Sequence, residues 1–244
     1  MDFKEINNIK KEEEKNHWWI KTRFLYIEKT LSLIKKKQIK VLEVGCGTCQ
    51  NLEFLRTESR KKKHIDSIYG VDLEMPEGFR FNGQREKDLL TKDLKQTSGP
   101  VDAILAMDVV EHVQNDSDFI KSWLPKLSKD GIVLITVPAF QSLWSYHDEI
   151  LGHVKRYKKS DLLALAKKSG LEPVYLNYAF SPFFLPLYII RKFLKDNEGS
   201  TDLQPPHPVL NKILYSIGKL ELILGGFPFF GTSVIGIFKK ENLK

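Results

Sequence analysis

The apolar residues of this chain recur with two different spacings, which predict two kinds of secondary-structure element. Between residues 16 and 37 the apolar positions recur at helical spacing, which predicts an amphipathic helix. Residues 39–44 are mostly apolar and stop at Gly45, which predicts a short buried strand. Residues 46–57 then read as a loop that turns into a helix. This region is therefore expected to form a strand, a glycine turn and a helix.

The same alternation of strands and helices continues toward the C-terminus. Ser160 is a suitable N-cap for a helix that ends at Gly170, and helical sequence also follows residue 117. Further strands are predicted at 67–74, 101–108, 131–138 and 172–180 and, as a closing edge strand, at 233–240. Alternating strands and helices are typical of a parallel, doubly wound α/β sheet.

The sheet pattern is interrupted between residues 181 and 230, where Phe and Leu cluster and prolines punctuate the sequence. We read this segment as an insertion before the last strand. The chain is therefore expected to comprise an N-terminal helical lid at 1–38, a core at 39–180, the insertion at 181–230, and the last edge strand with its tail at 231–244.

Composition narrows the class of protein. A chain of 244 residues with 42% hydrophobic and 28% charged residues is long enough for one globular domain with a sizeable core. The chain begins without an apolar signal segment and has only two Cys, so we expect a cytoplasmic protein in a reducing compartment. No uninterrupted apolar stretch is as long as a membrane span, which needs about 20 residues. The net charge of +7 indicates either an anionic partner, such as nucleic acid or an acidic membrane surface, or simply lysine-rich solvated faces.

The strongest chemical signal is EVGCGTC at 43–49, directly after a buried strand. Ligands of open α/β sheets bind outside the carboxyl ends of the strands, and glycines let the backbone approach them closely. Gln50 replaces the third glycine of a dinucleotide fingerprint, so a pyrophosphate is a poor fit. Glu43, which precedes the glycines, suits a cationic ligand. Asp72, at the end of the second strand, can accept hydrogen bonds from both hydroxyls of a ribose. These features together describe a site for S-adenosylmethionine.

Longer motifs extend this pattern along the chain. They are HWWIKTR (17–23), VLEVGCGT (41–48), YGVDLE (69–74), VDAILAMDVVEHV (101–113) and LWSYHDEILGHVKRY (143–157). In these motifs the chain resembles the class I S-adenosylmethionine-dependent methyltransferases over about residues 16–178. Within that class it is most similar to bacterial small-molecule enzymes that look like the ubiquinone-biosynthesis O-methyltransferases. The resemblance implies a Rossmann-like, mostly parallel seven-stranded sheet with an N-terminal helix and a helical insertion before the last strand.

The resemblance also implies roles for individual residues. Arg23 would hold the methionine carboxylate, Asp72 would bind the ribose, and Met107 would line the far wall. Asp88 or Leu89 would border the adenine. The predicted cofactor-binding residues are Arg23, Glu43, Gly45, Cys46, Gly47, Asp72, Leu73, Asp88, Leu89 and Met107. Cys49 departs from the family, which usually has a third glycine there.

Cys46 and Cys49 also form a C-x-x-C pair, which in another setting suggests redox or metal chemistry. One pair supplies only two of the four ligands that structural zinc requires, and the chain has no other Cys. The cofactor turn is therefore the preferred interpretation of this segment.

A second signal combines Asp108, Glu111 and His112 at the end of a predicted strand. These residues either cap the following loop and hydrogen-bond in the pocket wall, or they ligate a divalent ion such as Mg²⁺ or Mn²⁺. Such an ion would lower the pKa of a substrate hydroxyl. Some ubiquinone-pathway enzymes and the small-RNA 3′-end 2′-O-methyltransferases use a similar spacing with metal, with Glu in place of Asp108.

The third signal lies in the loop at 143–157. His147, Asp148, His153, Arg156 and Tyr157 either fasten this loop over the sheet or take part in the reaction. In the second interpretation His153 or His147 takes a proton from an attacking hydroxyl and Arg156 binds an anionic group. The predicted catalytic residues are His153, His112, Arg156 and Tyr157.

Two aromatic regions leave further alternatives open. Trp18 and Trp19 are either core residues or part of a lid over the cofactor. The insertion at 181–230 is either core or an interfacial surface that draws a greasy substrate from a membrane, in peripheral contact with it. We expect O-methylation of a small or lipid-linked acceptor. The alternatives are RNA ribose 2′-O-methylation and a non-catalytic protein that binds S-adenosylmethionine.

Overall fold

The computed structural model of the protein describes residues 16–193 and 206–241 and is organised around one seven-stranded sheet. The strands are β1 (Ile39–Val44), β2 (Ile65–Val71), β3 (Leu89–Thr91), β4 (Val101–Met107), β5 (Leu127–Pro138), β6 (Leu171–Ala179) and β7 (Ser233–Lys240). Their order across the sheet is β3-β2-β1-β4-β5-β7-β6. All pairings are parallel except those of β7, which runs antiparallel to both β5 and β6. The predicted doubly wound, mostly parallel sheet is confirmed.

Helices cover both faces of this sheet. They are α1 (Trp18–Ser32), α2 (Gln50–Thr57), α3 (Asp116–Trp123), α4 (Tyr146–Leu151), α5 (Lys159–Lys168), α6 (Phe184–Phe193) and α7 (Pro208–Ile223). One face packs against α1 and α2, where Leu31 and Leu52 are buried, and the other packs against α3 and α5 through Trp123 and Leu162. Every residue of β4 is buried, as expected for a parallel strand covered on both sides.

The last strand is not at the edge of the sheet, so that prediction was wrong. Ile237 of β7 pairs with Leu134 of β5 on one side and with Tyr175 of β6 on the other. β6 forms the edge instead, and six of its nine residues are only partly buried or exposed. The sequence of β7 fits either place because an apolar strand looks the same locally whether one or two neighbours pair with it.

Several element boundaries also differ from the sequence predictions. The first helix ends at Ser32 rather than continuing to residue 37, and β3 is too short to show a periodic pattern. The loop at 143–157 contains α4. Ser160 is not an N-cap, because α5 begins at Lys159, and the Lys158 backbone N–H donates to the Asp161 carboxylate at 2.8 Å.

The predicted insertion lies between β6 and β7 and contributes α6 and α7, with residues 194–205 outside the described ranges. α7 packs against α1, where the Trp18 backbone N–H donates to Asn211 Oδ1 at 2.8 Å. A Cβ atom on Gly218 would lie 2.7 Å from Thr22 Oγ1, so only glycine permits this approach of the helices. Within the described ranges, no helix is long and apolar enough to cross a membrane.

Candidate active site

A cavity of about 910 Å³ opens at the carboxyl ends of β1, β2, β4 and β5. This is the edge at which open α/β sheets bind ligands. Its walls include the N-terminal end of α1, the glycine turn after β1, the loops after β2 and β4, the loop at 143–157, and part of α6. The cavity is therefore bordered both by the strand ends of the sheet and by the insertion.

The glycine turn forms one wall of the cavity. Gly45 and Gly47 have φ angles of +68° and +46°, and a Cβ atom on Gly45 would lie 2.4 Å from Val109 Cγ2. Asp72 fastens this turn, because its Oδ2 accepts from the Gly47 backbone N–H at 2.8 Å and its Oδ1 accepts from the Glu74 N–H at 2.9 Å. Leu73 is largely exposed within the same wall. The turn and the acid predicted from sequence are thus one connected unit.

Arg23 reaches this wall from α1. Its Nη2 lies 2.7 Å from Asp108 Oδ2, and its guanidinium carbon lies 4.4 Å from the ring centroid of Trp19. Arg23 Nε is buried without a hydrogen-bond partner in the described part of the chain. The other oxygen of Asp108 accepts from Thr136 Oγ1 at 3.0 Å. Asp108 is therefore held by Arg23 and Thr136 at the cofactor side of the cavity.

A second part of the cavity wall carries a cluster of Glu111, His112 and His153. Ligand atoms of these three residues all lie within 4.8 Å of one another, although His153 comes from a different loop than Glu111 and His112. Both carboxylate oxygens of Glu111 are buried without a hydrogen-bond partner among the residues described. Burial raises the pKa of Glu111 well above its ordinary value, and the charge of Asp108 adds to this effect. The imidazole centroids of His112 and His153 are 4.7 Å apart.

His153 is held in place by a buried carboxylate. Its Nδ1 lies 2.7 Å from Asp148 Oδ1, which leaves Nε2 as the ring nitrogen for other chemistry. Arg156 binds the same carboxylate through Nε at 2.8 Å and Nη2 at 2.9 Å. Burial opposes ionisation of Asp148, but the hydrogen bonds from His153 and Arg156 outweigh it and hold its pKa below the usual range. Asp148 thus organises the loop and orients His153.

The fold and the position of the cavity agree with what a comparison to known protein families shows. A family model described as a methyltransferase domain matches residues 19–176. The chain belongs to this methyltransferase family. The resemblance to class I S-adenosylmethionine-dependent methyltransferases and the expected enzyme class are thereby confirmed.

Three relatives show how similar this chain is to individual methyltransferases. The ubiquinone biosynthesis O-methyltransferase of Pelagibacter ubique (strain HTCC1062) is 28% identical over 156 residues, which cover 55% of this chain and 62% of the relative. The plantazolicin methyltransferase BpumL, solved with a triazolic desmethylPZN analog and SAH, has a TM-score of 0.56 at 19% identity, with 91% of this chain and 86% of BpumL covered. A SAM dependent methyltransferase from Archaeoglobus fulgidus has a TM-score of 0.53 at 16% identity, with 91% and 93% covered. The structural similarities show the fold.

Three predicted cofactor residues of the methyltransferase lie beneath the glycine turn rather than in the cavity wall. Glu43 is buried, and its Oε1 accepts from Asn51 Nδ2 at 2.6 Å while Oε2 has no hydrogen-bond partner in the described ranges. Burial raises the pKa of Glu43 to about 7. Cys46 and Met107 also pack into the core, where the free thiols of Cys46 and Cys49 lie with their Sγ atoms 3.8 Å apart. These residues can support the turn, but their side chains do not line the cavity.

The predicted adenine border also needs correction. Asp88 forms a fully buried ion pair with Arg56, and its carboxylate also accepts from the Ile68 and Arg85 backbone N–H groups. Its side chain is therefore committed to the structure, and neither Asp88 nor Leu89 lines the cavity. Leu94 lines it instead. Sequence reasoning missed Leu94 because the short strand β3 gave no signal from which to count forward.

Two predicted catalytic residues have structural roles in this geometry. Tyr157 is buried, and its hydroxyl donates to Asp116 Oδ2 at 3.0 Å, so it does not line the cavity. Arg156 borders the cavity, but its guanidinium is bound to Asp148 and to the Ala139 carbonyl. The fastening interpretation of the loop thus applies to these two residues. His147, His112 and His153 all line the cavity.

Proposed function

We propose that this methyltransferase transfers the methyl group of S-adenosylmethionine to an oxygen atom of a small or lipid-linked acceptor. The observation that carries the proposal is that one cavity is lined by two groups of residues, called here the first and the second wall. Glycines, Asp72 and Arg23 form one wall, and the Asp148-oriented His153 stands in the other. Methyl transfer needs an aligned donor and acceptor and a group that takes the proton of the acceptor hydroxyl.

The first wall suits the parts of the cofactor. Each oxygen of Asp72 uses one lone pair for a backbone N–H and retains acceptor capacity for a ribose hydroxyl. Arg23 stands beside the glycine turn, where its guanidinium can bind the methionine carboxylate. Leu73 and Leu94 offer apolar surface for the adenine. Trp18 and Trp19 pack against the core and also line the cavity. Both observations fit the proposed lid at 1–38, of which the structure describes residues 16–38.

The second wall suits proton transfer from the acceptor. Because Asp148 occupies Nδ1 of His153, Nε2 is the nitrogen that can accept the hydroxyl proton, and the same carboxylate stabilises the imidazolium that results. His112 is adjacent and is the second candidate for this role. Bound S-adenosylmethionine would supply the methyl group from its sulfonium, and the imidazole of His153 would take the proton that the acceptor hydroxyl loses.

The same wall also fits a divalent metal, with a ligand set that differs from the sequence prediction. We propose Glu111, His112 and His153 as the ligands, because Asp108 is bound to Arg23. In this alternative Nε2 of His153 would hold the metal and would not act as the base. The unpartnered oxygens of Glu111 and the contact of His153 Nδ1 with the Asp148 carboxylate, which orients the ring, agree with such a site. A bound Mg²⁺ or Mn²⁺ would lower the pKa of the acceptor hydroxyl.

Metal removal tests this part of the proposal. Turnover should fall in excess chelator and return when Mn²⁺ or Mg²⁺ is added, and Glu111→Gln should lose the metal response. Full activity in chelator, with no metal in the purified protein, would leave His153 as a base alone.

The mouth of the cavity indicates the type of acceptor. Phe183, Leu187 and Arg191 come from the insertion and line the same cavity. An apolar molecule that carries a hydroxyl fits this lining better than an RNA ribose, which would require a continuous basic groove. Untargeted mass spectrometry of a host with and without the gene should reveal one metabolite pair separated by the mass of a methylene. A methylated RNA nucleoside in that comparison would contradict the proposal.

A further inference from the structure

The insertion exposes an unusual amount of apolar surface. Of the seventeen large apolar side chains that are exposed in the described ranges, eleven lie in this segment. They are Leu185, Ile189, Ile190, Val209, Leu210, Ile213, Leu220, Ile223, Leu224, Phe229 and Phe230. Gly218 is the one residue of α7 that is buried, although the helix is rich in Leu, Ile and Val. Large exposed apolar patches mark interaction surfaces.

The two sides of α7 can be told apart. Gly218 and Asn211 face α1, as their contacts with Thr22 and Trp18 show. The exposed residues at 209, 213, 220 and 223 are separated by four, seven and three positions, which brings them to the other side of the helix. This outward stripe, defined by Val209, Ile213, Leu220 and Ile223, is the part of the helix that the rest of the described chain leaves uncovered.

The charges around the outward stripe are mostly positive. Lys212 and Lys219 are exposed and lie seven residues apart on α7, beside the stripe. The acidic residue of α7, Glu221, accepts from the backbone N–H groups of Phe180 and Ser181 at 2.7 and 2.9 Å. Its charge is therefore directed inward. An apolar stripe flanked by lysines is the pattern of a helix that lies in a lipid interface.

We propose that the outward stripe of α7 docks on an anionic lipid bilayer, as a peripheral contact. The insertion also supplies Phe183, Leu187 and Arg191 to the cavity wall, and Asn211 of α7 contacts Trp18 in that wall, so a docked α7 holds the cavity near the bilayer. Docking does not depend on the proposed reaction, because it can be measured with neither cofactor nor acceptor present.

Vesicle sedimentation of the full chain tests this proposal. The protein should bind vesicles that contain phosphatidylglycerol more strongly than vesicles of phosphatidylcholine alone, and added salt should weaken the difference. Ile213→Glu with Leu220→Glu should reduce binding by on the order of tenfold or more, because two side chains that enter the apolar layer become charged. The matched control is Leu33→Glu with Val174→Glu, two exposed apolar residues outside the insertion, and it should bind as the wild type does.

Two further measurements separate the alternatives. Lys212→Gln with Lys219→Gln should reduce binding to the anionic vesicles by about tenfold and leave the phosphatidylcholine result unchanged. Calorimetric titration with S-adenosylhomocysteine should give the same affinity for all these variants, which distinguishes a docking defect from a failure of the proposed function. The proposal would be overturned if the protein bound neither type of vesicle, or if the control variant lost as much vesicle binding as the stripe variant. A dimer in solution that Ile213→Glu abolishes would instead assign the stripe to a second copy of the chain.

Discussion

The two walls of the cavity differ in how far the protein itself satisfies their polar groups. On the cofactor side, both oxygens of Asp72 accept backbone N–H groups and fasten the glycine turn. On the acceptor side, both oxygens of Glu111 are buried without a partner in the described ranges. An unsatisfied buried carboxylate lowers stability until a proton, a metal or a ligand compensates it. The comparison teaches that Asp72 and the glycine turn are preformed, whereas Glu111, like Arg23 Nε, is left to be completed by what binds there.

The largest expected effect separates the walls through His153. His153→Ala should lower turnover by about 10²–10⁴-fold, the usual contribution of a positioned base, and leave the affinity for S-adenosylhomocysteine nearly unchanged. Steady-state kinetics and calorimetry on the same preparation measure both quantities. His147→Ala is the matched control, since His147 lines the cavity from the same loop but is not part of the Glu111 cluster. An equal loss of cofactor affinity would show that the loop is a lid rather than an acceptor wall.

A second substitution addresses the cofactor wall alone. Gly45→Val should weaken S-adenosylhomocysteine binding by on the order of tenfold or more and destabilise the fold by about 1–3 kcal/mol, because of its positive φ and the close approach of Val109. Gly78→Val separates the two causes, since Gly78 has a φ of +72° but nothing within 4 Å of a Cβ atom. That control should show the strain without the binding defect. Normal binding by a folded Gly45→Val protein would remove the turn from the site.

A smaller effect concerns the acid beneath the turn. Burial raises the pKa of Glu43 from 4.5 to about 7, so the folded state binds its proton more tightly than the unfolded state does. The stabilising contribution of the protonated form is complete below pH 4.5 and is lost as the pH rises through about 7. Relative to Glu43→Gln, the wild type should therefore lose about 1–3 kcal/mol of unfolding free energy across this range.

Urea unfolding of both proteins at about pH 5 and about pH 8 measures this difference. The Glu43→Gln variant should be relatively more stable at the higher pH. Parallel pH dependence in the two proteins would show that Glu43 ionises normally in the folded state.

The fold could be predicted where local pattern decides the structure. The run of buried residues in β4 and the helical spacing in α1 depend only on residues that are close together in the sequence, so both elements were predicted. The position of β7 was not, because pairing with β5 and β6 involves residues about one hundred and about sixty positions away. Short elements such as β3 carry too few residues for a periodic signal.

The site divides in the same way. Gly45 and Asp72 could be found because Gly45 follows one predicted strand and Asp72 stands near the end of the next, and strand ends of a parallel sheet meet at one edge. The partner of Asp108 could not, since Arg23 arrives from a separate helix, and the ion pair removes Asp108 from the expected metal set. The roles of Tyr157 and Arg156 likewise depend on Asp116 and Asp148, which only the packed loop brings to them.

The central claim, that one cavity has separate cofactor and acceptor walls, is tested most directly by calorimetric titration of S-adenosylhomocysteine into the wild type, Asp72→Ala and His153→Ala under one set of conditions. The account predicts that the wild type and His153→Ala bind with the same affinity. Asp72→Ala should bind more weakly by about 1–3 kcal/mol, because the ribose hydroxyls lose a charged acceptor. No binding to the wild type, or unchanged affinity in Asp72→Ala, would contradict it.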